Sequence, residues 1–125
     1  MFAPLGDLVE ARSEAGIMAM GAASGIISSH FAFQGRIIAW LQDQGIEPAA
    51  ASLYARSLLM SLAEASSRTG DADLASLPSQ YETKGGLNER TRRRLTEAGW
   101  LDAVTNALDT LVLREDLRTG GTLPF

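Results

Sequence analysis

The stretch Thr83-Lys84-Gly85-Gly86-Leu87-Asn88-Glu89 is where residue types and spacing could do chemistry. A glycine pair ends one helical pattern and opens another. Glycine reaches backbone angles closed to other residues and lets a partner approach the main chain. The N–H groups of Leu87, Asn88 and Glu89 then fall in the first turn of the next helix. They lack intrahelical acceptors there and suit an anion such as a carboxylate or phosphate. The plainer alternative is a connector between two helices.

His30 is the only histidine. It falls on an apolar stripe between Ile26 and Phe33, which suits a hydrogen-bonded core or interface imidazole. The functional alternative is a polar group facing a substrate pocket near Ser24, Ser28 and Ser29. A metal site is not expected, because no second histidine exists and no carboxylate lies one turn away on that face. Ser29-His30 is not a nucleophilic pair, since neighbours on a helix diverge by about 100° and no nucleophile elbow surrounds either serine. Arg90, Arg93 and Arg94 read as a solvated helix face balanced by Glu89, Glu97 and Asp102, or as a face that meets acids of a partner chain. No G-x-G-x-x-G follows a strand and no phosphate-loop motif occurs, so this chain alone is not expected to bind a nucleotide.

Composition sets the frame for these residues. The chain has 125 residues, 46% hydrophobic but only 6% aromatic, with no cysteine and a net charge of -4. Its apolar mass is mostly Ala, Leu, Ile and Met, which favours helices. Thiolate catalysis and disulfides are excluded, and the acidic balance disfavours nucleic acid. The expected compartment is the cytoplasm. The apolar segment Ile17 to Ile27 is short and interrupted by Gly21, Ser24 and Gly25, so no membrane span is expected.

The elements that position the loop are helical throughout. Residues 1–12 read as a connector, with Asp7 to Ala11 extended or an edge strand. Ser13 is a candidate N-cap, with Glu14 in the first turn. The run Gly21-Ala22-Ala23-Ser24-Gly25 marks close packing or a break. Ile26, His30, Phe33, Ile37 and Leu41 recur every three or four residues, widened by Ile27, Phe31, Ile38 and Trp40. The spacing predicts a long amphipathic helix over 26–44, closed by Gly45. Pro48 opens a second long helix to Ser67, anchored by Leu53, Leu58, Leu59 and Leu62. A short helix over 73–82 is expected to be irregular at Pro78. Helices over 87–98 and 100–116 follow, then a flexible tail over 118–125. The expectation is an all-α bundle of five to six helices spanning 13–117. Its helices around Phe33 and Leu58 are too apolar for a small monomer to cover, which points to a two-fold dimer.

The order of these features resembles the C-terminal dimerisation domain of the pyrroline-5-carboxylate reductases. The resemblance runs from about Phe2 to Arg114. It lies in the connector Leu5-Gly6-Asp7-Leu8-Val9-Glu10, the segment Ala22-Ala23-Ser24-Gly25, the two long helices, the Gly-Gly loop, and Leu95-Thr96-Glu97-Ala98-Gly99-Trp100 at the last joint. It implies a preceding Rossmann domain that binds NAD(P)H, a homodimer of interlocked helices, and a small anionic substrate held between the two parts, as in proline biosynthesis. The family loop is similar to Ser-Pro-Gly-Gly, a small residue, then Thr. Thr83 takes the Ser position, Gly85 and Gly86 match, Leu87 takes the small residue and Asn88 the Thr. Lys84 replaces the proline, and its charge suits a more anionic substrate or points to solvent. The family's Gly-Ser-Gly-Pro-Ala-Tyr is similar to Ala23 to Ser28, with Ile26 and Ser28 departing from it. The substrate-binding residues so implied are Thr83, Lys84, Gly85, Gly86, Leu87, Asn88, Ser24 and His30. No catalytic group and no cofactor is expected in this chain alone, which would be an inactive part of a reductase. The alternative is a free-standing helical homodimeric interaction module without catalytic activity.

Overall fold

A computed structural model of the chain describes residues 13 to 118, with side chains described through residue 112. The expected connector over 1–12, and the tail beyond Arg118, lie outside the described residues. Among the described residues the chain is all-helical, with no strand. The helices are α1 (Glu14–Ala23), α2 (Ile27–Asp43), α3 (Pro48–Ser67), α4 (Leu77–Gln80), α5 (Leu87–Glu97) and α6 (Trp100–Arg118). Short 3₁₀ turns at Ser24–Ile26 and Asp71–Ser76 precede α2 and α4. Two compact units result: residues 13–27 with 101–118, and residues 28–100.

In the first unit, Ser13 caps α1. Its hydroxyl accepts from the Gly16 amide at 3.0 Å, and Glu14 sits in the positive first turn. The run of small residues serves close packing and does not break the helical path. The helix tightens into a 3₁₀ turn there, and Gly25 lies so close to Leu111 that a Cβ would meet the leucine Cδ1 at 3.2 Å. Ala22 is buried. The helical path from Glu14 to Asp43 is 30 residues long, and by length and composition it is apolar enough to cross a membrane. The apolar segment Ile17 to Ile27 thus continues into a longer helix, the 3₁₀ turn carrying the helical path through Gly25. Ser24, Ser28, Ser29, His30, Gln34 and Arg36 place polar side chains in the middle of that path.

In the second unit, Gly45 closes α2 with φ 95. The Gly45 amide donates to the Gln42 carbonyl at 2.9 Å and the Ile46 amide to Leu41 at 3.0 Å. This pair of bonds satisfies the end carbonyls as a Schellman cap does. Pro48 then enters the first turn of α3, where its missing N–H costs nothing. The expected short helix over 73–82 is instead two pieces, the 3₁₀ turn and α4. Pro78 does not interrupt a helix; it lies in the first turn of α4. The last helix runs two residues past the expected Asp116, to Arg118.

The packing of α2 and α3 departs most from a small monomer's core. Ala51 and Ala55, one turn apart on α3, are fully buried, while Leu53 is 69% exposed and Phe31, Trp40, Tyr54 and Met60 are exposed as well. Phe33, expected in a covered stripe, is 42% exposed and stacks on Trp100 with ring centroids 6.1 Å apart. Buried alanines remove little apolar area from water. Most of the apolar surface of α2 and α3 is left uncovered.

Candidate functional site

The loop before α5 is built by its own sequence. The Gly86 amide donates to the Thr83 carbonyl at 2.8 Å, closing a four-residue turn. Gly85 is the third residue of that turn with φ 77, the left-handed angle a type II turn requires there. Gly86 is extended and forms the N-cap of α5. A Cβ at Gly86 would collide with the Thr83 hydroxyl and press on the Thr83 carbonyl. Both glycines are therefore required, one by its angle and one by the close approach of Thr83. Lys84 holds the second turn position, where a proline fits the same path.

Three side-chain clasps fix this turn to the helix after it. The Gly85 amide donates to Glu89 Oε1 at 2.8 Å. Asn88 Nδ2 donates to the Tyr81 carbonyl at 3.0 Å. Arg92 donates to both carboxylate oxygens of Glu82 across the loop. That hydrogen bond and the charge behind it raise the Arg92 guanidinium above its ordinary pKa.

The expected anion cradle falls on the first turn of α5. Leu87, Asn88 and Glu89 form the first turn of α5, and among the described residues their amides have no backbone acceptor. Its chemistry differs from expectation in two respects. Glu89, read from sequence only as a countercharge for the arginines, puts a carboxylate on the Gly85 amide. The Thr83 hydroxyl lies against Gly86, and Asn88 spends its side-chain amide on Tyr81. The first-turn amides of Leu87 to Glu89 thus lie beside a resident negative charge. Leu87 is 78% exposed and Lys84 is exposed.

Ser24 and His30 are the remaining expected site residues. Ser24 belongs to the first unit, and its hydroxyl donates to the Gly21 carbonyl at 2.6 Å. His30 is exposed, lies edge-on to Phe31, and lines a groove with Gln34, Leu53, Arg56 and Met60 that contains no residue of the loop. Among the described residues no cluster of His, Asp and Glu could hold a metal ion. Sequence reasoning missed Glu82 and Arg92. Their ten-residue separation follows no helical period, so only the turn between them reveals the pair. Comparison with family models, characterised proteins and solved structures finds no match.

Proposed function

We propose that this chain is the helical dimerisation and substrate-binding part of an NAD(P)-dependent reductase of the pyrroline-5-carboxylate reductase kind. The observation that carries this is the uncovered apolar surface of α2 and α3. A chain that buries alanines and exposes Phe31, Trp40, Leu53 and Met60 needs another surface to complete its core. A second copy, interlocked about a two-fold axis, supplies it. The loop supports the substrate half of the proposal. Its glycine turn presents the Leu87, Asn88 and Glu89 amides at the positive end of an 11-residue helix. Lys84 departs from the family's proline at a position where the turn accepts either residue. The nicotinamide, bound by a separate domain, supplies the hydride chemistry. This chain contributes the position and electrostatics of the substrate carboxylate.

A second reading is favoured by one observation. Glu89 already occupies the Gly85 amide, as it would in a self-capped connector within a non-catalytic homodimeric module. Amide chemical shifts separate the two. Addition of L-proline, as a product-like carboxylate, shifts the Leu87, Asn88 and Glu89 amides if the loop is a substrate cradle. Shifts absent up to saturating ligand leave the module. A βαβ pattern with a glycine-rich turn in the coding sequence ahead of Met1 supports the reductase independently.

A further inference from the structure

Beyond the turn, α5 carries a second feature. Leu87, Arg90, Thr91, Arg94 and Leu95 follow helical spacing along one face, and with Arg93 and Glu97 they line an open groove. Leu87 projects an apolar side chain at one end of it. The acids nearest in sequence are engaged elsewhere, Glu82 with Arg92 and Glu89 with the Gly85 amide. Three guanidiniums therefore share a groove with Glu97 alone. Like charges three and four residues apart on a helix repel one another, so this face is stabilised by an anionic surface laid against it.

The chain's own charge distribution says what that surface is. Lys84, Arg90, Arg92, Arg93 and Arg94 face only Glu89 between positions 84 and 94, yet the whole chain carries -4. The rest of the chain is strongly acidic. Among the described residues, exposed sets that combine acids with an apolar anchor include Asp43 and Glu47 beside Trp40 and Ile46, and Asp71 and Asp73 beside Leu74. Arginine forks bind carboxylates at two points, and such pairs around an apolar anchor are the usual make-up of interface hot spots. The geometry points to the Leu87–Arg90–Arg94 face of α5 as the docking surface for one of these acidic sets on a second copy of this chain. In a two-fold dimer the contact occurs twice. The inference rests on the dimer proposed above.

Sedimentation equilibrium of the full chain at low and high salt tests it. Arg90→Glu with Arg94→Glu weakens dimerisation by roughly ten-fold or more, and added salt weakens the unaltered dimer. Reversal of one acid set, either Asp43→Lys with Glu47→Lys or Asp71→Lys with Asp73→Lys, restores the affinity lost to the arginine reversal. Leu87→Gln, at a side chain too exposed to be needed for folding, weakens the dimer as well. Helical circular dichroism confirms that each variant is folded. A dimer with unchanged affinity in the arginine variant overturns this surface and leaves the dimer standing, as does failure of both acid reversals to restore it. A monomeric unaltered chain overturns the dimer itself.

Discussion

The carboxylate of Glu89 reaches back one turn and accepts a hydrogen bond from the Gly85 amide at 2.8 Å. The loop thus holds an internal carboxylate at the edge of the amides proposed to receive one. Glu89→Ala removes the acceptor and a favourable charge at the helix start. The expected loss is about 0.5–1 kcal/mol of stability, read by thermal unfolding, with faster hydrogen exchange at the Gly85 amide. The same variant binds a monocarboxylate more tightly, because a like charge has left the site. Weaker binding would assign Glu89 to the ligand's own contacts.

The two glycines fail for different reasons. Gly85→Ala forces a side chain into φ 77 and costs about 1–2 kcal/mol. Gly86→Ala instead meets Thr83. Its cost is partly relieved when Thr83 is also changed to Ala, so the two substitutions are non-additive. Additive effects in a double-mutant cycle would show that Thr83 yields freely.

Much of this architecture is legible in the residues. Ser13, Gly45 and Pro48 fix helix ends because each acts through its own backbone or side chain within a few residues. The predicted helix over 48–67 matches α3 end for end for that reason. Pro78 misleads because the same ring that breaks a helix interior fits a first turn, and only the preceding 3₁₀ turn decides between them. The glycine pair and the amides after it are readable. The clasps around them are not, since Glu89 to Gly85 and Glu82 to Arg92 depend on the path of the turn. Ser24 looks available as a polar group, but its hydroxyl is satisfied by Gly21 one turn earlier. The apolar stripe of α2 is plain in the spacing, whereas what covers it is not encoded by periodicity.

The Arg92–Glu82 pair spans the loop at the surface. Arg92→Lys keeps the charge but loses the two-point geometry. The expected outcome is a lower Tm and greater exchange across 83–86, with the difference from the unaltered chain shrinking in high salt. A salt-independent difference would mean that the arginine acts through packing.

Phe33 reports on whether its face is covered. Half-exposed and stacked on Trp100, it should lose about 1–2 kcal/mol on substitution by Ala in a lone chain. Covered by a second copy, it should lose about 3–5 kcal/mol, the cost of emptying a filled core site. Chemical denaturation at several protein concentrations distinguishes the two, since only the covered site makes the loss depend on concentration.

Light scattering on the purified chain tests the proposed assembly most directly. A completed core across α2 and α3 predicts a monodisperse species of twice the 13.3 kDa chain mass at micromolar concentration. A monodisperse, folded species of 13.3 kDa would contradict it, because the exposed Phe31, Leu53 and Met60 would then face water in the native state.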